Sequence, residues 1–343
     1  MSEQSTLSEK TTTPPTPARI FDFAWGLGRT ATLVTALDLD LFTAIAEGSD
    51  TVDDLVRRTD ASRRGMHALL TALHASGFVH RDGDRYRLAD DAAMYLVRGS
   101  RAYLGDMRHI HRQLNFKIWP QLTEAVRSGA PCKEIFAEQA DDVWARITPY
   151  LDALAVGAGR WMAGVAGDLV PSRPRILDVG CGYGGSGRAL AEGWNGSVVG
   201  IDREISVTAA RDLAREAGLA DRTEYRSGDV FDTPWGGPYD VVLLGNLLHG
   251  YPVAEVREIL ARSAAALTDD GVLLLYEIVP DDTETDPVGA FFSLQMLMTS
   301  EGVAHSLDDY DRWLAEAGLP VRRRLRSPTG PGTLVAATRG APS

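Results

Sequence analysis

Arg175-Ile-Leu-Asp-Val-Gly-Cys-Gly-Tyr-Gly-Gly-Ser-Gly-Arg188 decides the fold of the C-terminal half. An apolar strand runs into glycines at 180, 182 and 184, and a helix follows. Glycine suits such a turn because it adopts positive φ and lets a ligand approach bare backbone. Two ligand classes compete for it. The glycines at 182, 184 and 187 spell G-x-G-x-x-G, and Asp202 stands 20 residues past the first of them, where a dinucleotide's ribose would be held. Asp178, just before the first glycine, points elsewhere: a carboxylate there repels a pyrophosphate and attracts a cation. S-adenosylmethionine carries an ammonium, a sulfonium and a ribose diol but no phosphate, so its charge matches better than that of a nicotinamide dinucleotide.

Outward from this turn, the chain after Pro174 alternates strand-like and helical segments. Ile176 to Val179, Ser197 to Ile201, Thr223 to Tyr225, Val241 to Gly245 and Val272 to Glu277 read as strands, with helices such as Val207 to Glu216 and Ala254 to Leu267 between them. That alternation predicts a doubly wound α/β domain with a parallel sheet, whose ligands sit beyond the carboxyl ends of the strands. Asp178, the glycines, Asp202, Asp229 and the loop from Asn246 to Tyr251 all fall at those ends.

The N-terminal half has a different texture. Residues 1 to about 18 are Ser, Thr, Pro and Glu, a composition that stays disordered. Helical spacing begins near Ile20, Thr51 and Ser62 stand as helix N-caps, and Asp82-Gly-Asp84 is the turn of a hairpin. Helix, helix and hairpin make a winged helix. Its basic residues are nearly matched by seven aspartates between 53 and 91, which fits subunit pairing better than DNA binding. The expected division is a tail at 1–18, a winged-helix domain at 19–100, a helical connector at 101–170 and the α/β domain at 171–343.

The 343 residues carry 44% hydrophobic and 24% charged side chains and a formal net charge of −12. An acidic protein is a poor partner for nucleic acid or anionic membrane, no apolar run is long enough to span a bilayer, and no leader is evident, so a cytoplasmic protein is expected. Cys132 and Cys181 form neither a disulfide framework nor a metal cluster, and no metal is expected. Cys181 reads as a small space-filler in the turn.

Taken together, these residues resemble the small-molecule O-methyltransferases of plants and bacteria, which join an N-terminal winged-helix dimerisation domain to a class I methyltransferase domain. The bacterial secondary-metabolism members are the most similar in layout, and the resemblance covers about residues 20 to 338. It implies S-adenosylmethionine as donor, S-adenosylhomocysteine as product, a homodimer, and a small aromatic or polyketide-like acceptor methylated on a hydroxyl. The family's donor loop matches Asp178, Gly180, Gly182 and Gly184; its ribose acid matches Asp202, followed by Arg203; its adenine-binding segment matches Gly228, Asp229, Val230 and Phe231. Asn246 and Tyr251 border the same ligand, with Tyr251 in place of a family tryptophan. His249 corresponds to the family's general base, and an imidazole suits deprotonation of a phenol or enol. Glu277 corresponds to the acid that orients it. Trp119, Trp144, Met162, Phe291, Phe292, Met296 and Met298 are expected to enclose the acceptor.

The sequence departs from the family around the base. Gly250 replaces an aspartate, Gly245 a lysine, and Ala304 a second acid, for which His305 or Glu301 could substitute. Carbon or nitrogen methylation, or a member diverted to decarboxylation or hydroxylation, therefore stays open, with a winged-helix ligand sensor as a reading from another class.

Overall fold

The structure, a computed structural model, describes residues 15–100, 102–132, 140–280, 286–328 and 330–339, with the side chains of 140–145 left aside. The chain divides into two compact units, Met1–Arg108 and His109–Ser343.

In the first unit, helix starts follow their capping residues. The Thr51 hydroxyl accepts the Asp54 N–H at 3.2 Å, opening Val52–Thr59, and the Ser62 hydroxyl accepts the Gly65 N–H at 3.1 Å, opening Arg63–Ala75. The antiparallel hairpin of β1 (Val79–Asp82) and β2 (Arg85–Leu88) turns at Gly83, whose φ of 62° suits glycine. Leu37, Phe42, Leu55, Met66, Leu70, Leu73, Val79 and Tyr86 share its core. The first helix, Ala18–Ala24, buries none of its residues. Ile20, Phe21, Phe23, Trp25 and Leu27 stand 61–71% exposed, a concentration of apolar surface that a lone soluble unit rarely shows.

The second unit is built on a seven-stranded sheet. Its strands are β3 (Arg175–Val179), β4 (Ser197–Asp202), β5 (Thr223–Ser227), β6 (Tyr239–Gly245), β7 (Leu267–Glu277), β8 (Val321–Arg326) and β9 (Thr333–Thr338), in the order β5-β4-β3-β6-β7-β9-β8. The first five in that order are parallel; β9 runs antiparallel to β7 and β8 antiparallel to β9. That final pair is a departure from the all-parallel expectation. Arginine at four of six positions in β8 hides a strand whose burial alternates, and an edge strand tolerates such charge.

Helices cover both faces, and side-chain parity shows how. Leu177, Val179, Val242, Leu244, Leu273 and Leu275 pack one way, into a core with Val256, Ile259, Leu260, Tyr310, Trp313 and Leu314. Their alternates Ile176, Val241, Leu243, Val272 and Leu274 pack the other way, with Ala158, Met162, Ala166 and Leu190. Burial on both faces is why these strands read as continuous apolar runs. The helix Ala140–Ala166, in the segment read as a connector, thus lies on the second unit's own sheet. Among the described residues no helix is long and apolar enough to cross a membrane.

The strand order reverses between β3 and β6, with β4 on one side of β3 and β7 beyond β6. Crevices at such a switch point hold the ligands of open α/β sheets, and Asp178, Asp202, Asp229, Asn246, His249 and Glu277 lie at or past the carboxyl ends of these strands.

Candidate active site

Beyond β3 the backbone makes three left-handed steps, at Gly180 (φ 67°), Gly182 (φ 55°) and Gly184 (φ 78°). The turn is tied to its neighbour strand: Gly180 and Cys181 donate N–H to the Ile201 carbonyl at 2.9 and 3.1 Å, and Gly182 donates to Asp202 Oδ2 at 2.8 Å. The three glycines face different surroundings. A Cβ on Gly180 would lie 2.4 Å from Leu247, and one on Gly184 2.5 Å from the Tyr225 hydroxyl, whereas at Gly182 it would meet nothing within 4 Å. Gly182 therefore marks the open side of the turn. Gly187 serves packing: its Cβ would lie 2.6 Å from Asp178 Oδ2 and 2.9 Å from Val198. Cys181 fills space among Val207, Ala210, Ala214 and Tyr225, and burial pushes its thiol well up, which makes it a poor nucleophile.

Asp178 is buried and accepts the Gly187 N–H at 3.1 Å. Burial, with the Asp202 and Asp152 charges adding, raises its carboxyl to about 7 against the opposing Gly187 N–H and Arg188 guanidinium. Asp202, at the end of β4, also receives the Arg203 N–H on Oδ1 at 2.7 Å. Two N–H donors leave lone pairs of the carboxylate for others. Asp229 is exposed and accepts the Phe231 N–H at 2.8 Å. The rings of Phe231 and Tyr251 meet edge to face at 5.5 Å, and burial, then the Asp229 and Asp202 charges, holds the Tyr251 phenol above its ordinary range. Val230 departs from expectation: its side chain is in the core and its carbonyl accepts the Trp235 indole N–H at 2.9 Å. These residues fit S-adenosylmethionine. An open glycine offers bare backbone, Asp202 keeps acceptor capacity for a diol, and the acids suit a cation.

The other half of the site lies beyond β6 and β7. Gly245 pairs with Tyr276, so Asn246, the first residue past β6, comes beside Glu277, the last residue of β7. Asn246 takes φ 52°, a conformation asparagine tolerates, and donates its N–H to the Tyr276 carbonyl at 2.8 Å. Glu277 is fully buried. Its Oε1 accepts the N–H groups of Leu247 at 2.8 Å and Leu248 at 2.7 Å, and its Oε2 lies 2.5 Å from His249 Nδ1. A carboxylate partner makes Nδ1 the protonated nitrogen of a neutral ring and leaves Nε2 as the basic one. The Leu247 and Leu248 amides carried no sequence signal, because backbone donors have none. The ring of Phe292 stands edge-on to His249 at 4.8 Å, and Phe291 meets Trp119 at 6.4 Å.

Other expectations are corrected by burial. Met162 belongs to the core on the sheet, and Met298 packs with Leu114, Ile118, Ala125 and Ile147; neither is exposed at all. Met296 is also buried. The Trp144 side chain lies outside the described residues. Glu301 is exposed, and His305 is buried between the rings of Tyr310 and Trp313 at 5.8 and 4.9 Å, with burial holding it below its ordinary range. Asp152, an acid three residues past Pro149 inside a largely apolar helix, was not among the expected site residues. That isolation was its signal.

Comparison with known proteins agrees with this architecture. The profile of an O-methyltransferase dimerisation domain matches residues 21–98, and that of a methyltransferase domain matches residues 176–271. The chain is similar to 3-hydroxy-5-methyl-1-naphthoate 3-O-methyltransferase of Streptomyces sahachiroi, 32% identical over 335 residues, covering 92% of this chain and 93% of the relative. The N,N-dimethyltransferase OxyT of Streptomyces rimosus is 27% identical, covering 92% of this chain and 95% of OxyT. Among solved structures, PigF with S-adenosylhomocysteine superposes with a TM-score of 0.78 at 25% identity, covering 95% of this chain and all of that one; PigF is a Serratia methyltransferase.

The buried Asp178 gives stability a pH dependence of definite sign. A carboxyl raised to about 7 binds its proton more tightly folded than unfolded. Its contribution is complete below the ordinary carboxylate range and is lost as pH rises through about 7. Denaturant titrations of the ligand-free protein from about pH 5 to 8 should show wild type losing stability relative to Asp178→Asn, which has no proton to release. A wild-type-minus-variant difference that stays constant across that range would contradict the assignment.

Proposed function

The chain belongs to the S-adenosylmethionine-dependent O-methyltransferase family, and from that premise we propose that it methylates a hydroxyl of an aromatic or polyketide-like small molecule, with His249 as general base. The observation that carries this reading is the contact of His249 Nδ1 with the buried Glu277 carboxylate at 2.5 Å. It orients the imidazole and leaves Nε2 to take a proton.

The bound donor supplies an electrophilic methyl on its sulfonium. What remains for the protein is to hold the two reactants in line and to remove the acceptor's proton. On this reading Asp202 and Arg203 hold the ribose end, Gly228, Asp229 and Tyr251 border the adenine, and Asp178 with the turn from Gly180 to Gly184 receives the methionine end. Phe292, Phe291 and Trp119 form the acceptor wall, and apolar walls exclude water that would compete for the base. Residues 19–100 pair two copies, 101–170 contribute to the acceptor side and 171–343 bind the donor. The naphthoate enzyme of Streptomyces sahachiroi supports a phenolic acceptor. OxyT favours a second reading, an amine acceptor, which the same assay separates.

Replacing a positioned base costs about 10²- to 10⁴-fold in rate. His249→Ala should lose that much kcat on a weakly acidic phenol while S-adenosylhomocysteine affinity, read by calorimetry, holds. The deficit should shrink for acceptors already ionised at the assay pH. Wild-type turnover by the variant on a phenol of pKa about 10 at neutral pH would refute the base, and turnover confined to amines would favour the second reading.

The exposed stripe from Ile20 to Leu27 is the surface through which two copies would pair. Light scattering should give twice 37.1 kDa for wild type and a shift toward monomer for Phe21→Asp with Phe23→Asp. A monomeric wild type, or an undisturbed dimer in the variant, would overturn the pairing.

A further inference from the structure

Arg188 and Asp152 form a buried ion pair that the chemistry above does not use. Arg188 lies in the first turns of the helix Gly185–Gly193, which the glycine turn opens, and its side chain is 8% exposed. Its Nη1 donates to the carbonyl of Tyr183, inside the turn, and its Nη2 donates to Asp152 Oδ2 at 2.8 Å. Asp152 comes from the helix Ala140–Ala166. The two helices touch closely at this point. A Cβ on Gly185 would lie 2.7 Å from Asp152 Oδ1, a Cβ on Gly159 would lie 2.7 Å from the Ser186 carbonyl oxygen, and the Ser186 hydroxyl donates to the Ala155 carbonyl at 3.0 Å.

A buried ion pair is a weak device for stability, because desolvation of both ions offsets most of their attraction and apolar side chains would serve as well. Its geometry is the more telling feature. Two nitrogens of one planar group reach two acceptors on different elements, one of them the backbone of the donor turn. A lysine ammonium, a compact charge on a flexible stem, could supply charge but could not reproduce that fork.

We propose that Arg188 is a positioning residue for the methyl donor: its guanidinium clamps the Tyr183 carbonyl to Asp152 and fixes the turn from Cys181 to Gly184 against the helix Ala140–Ala166. The proposal rests on the donor assignment above. It differs from a purely electrostatic role, in which Arg188 would only neutralise Asp152, Asp178 and Asp202. The sulfonium gives S-adenosylmethionine a positive charge that S-adenosylhomocysteine lacks, so a role through charge would change the two affinities unequally. A role through geometry changes both alike.

Calorimetry with each ligand on the full-length protein tests this, using Arg188→Lys, Asp152→Ala and Asp152→Asn. Arg188→Lys and Asp152→Ala should each weaken both ligands about tenfold, the size expected for losing a charge-assisted bond. Asp152→Asn keeps an oxygen for the guanidinium and should stay within about threefold. At saturating donor, kcat should remain near wild type in all three, a loss of affinity without a loss of chemistry. The proposal fails if Arg188→Lys binds both ligands like wild type, if only S-adenosylmethionine is affected, or if the melting temperature falls while both affinities hold. Wild-type protein that does not bind S-adenosylhomocysteine would instead overturn the donor assignment itself.

Discussion

The site depends on one buried carboxylate. Glu277 ends a strand flanked by sheet on both sides, where an unpaired charge would cost several kcal/mol. It is satisfied by two amides and an imidazole, all from the loop that follows the neighbouring strand. That makes the loop's shape obligatory: removing the carboxylate would leave the Leu247 and Leu248 N–H groups and the ring of His249 without the acceptor that aligns them. The parallel register of β6 with β7 is what delivers Glu277 to this place, since Gly245 lies opposite Tyr276 and the loop after β6 begins beside the last residue of β7. A sheet contact thus becomes the orientation of the His249 imidazole.

The end of β4 and the glycine turn are built by the same logic with different parts. Asp202 ends β4 as Glu277 ends β7, and it too spends part of its capacity on a neighbouring loop, through the Gly182 N–H at 2.8 Å. Each carboxylate organises backbone first and keeps something over: free lone pairs in one case, the unbound nitrogen of an imidazole in the other. The switch point between β3 and β6 brings these two arrangements together, because Leu247, two residues before His249, packs within reach of Gly180 in the glycine turn. A side chain at Gly180 would disturb both.

What the sequence revealed follows from which features are local. The glycine turn, the caps at Thr51 and Ser62, and the strand-end acids are readable because short-range backbone demands fix residue type at fixed spacing. Glu277 and His249 were readable only as positions in a family pattern; their contact at 2.5 Å needed the register of two strands. Apolar residues on the helices around the site were least readable. Periodicity says that Met162 and Met298 are turned inward, but not whether inward means a pocket or a core, and both proved to be core. His305 is likewise held among aromatic rings, which its place in the sequence does not announce. The arginines of β8 masked a strand, and Arg188 found its partner 36 residues away in a helix that nothing in the turn announces.

The contact with Glu277 calls for a neutral His249 ring with its proton on Nδ1 and its basic nitrogen at Nε2. Nitrogen-15 chemical shifts of the His249 ring, assigned by comparison with His249→Asn and recorded where the ring is neutral, test it most directly. The expected result is a protonated-type shift at Nδ1 and an unprotonated-type shift at Nε2, with the pattern lost in Glu277→Gln. A neutral ring carrying its proton on Nε2 in the wild-type protein would contradict it.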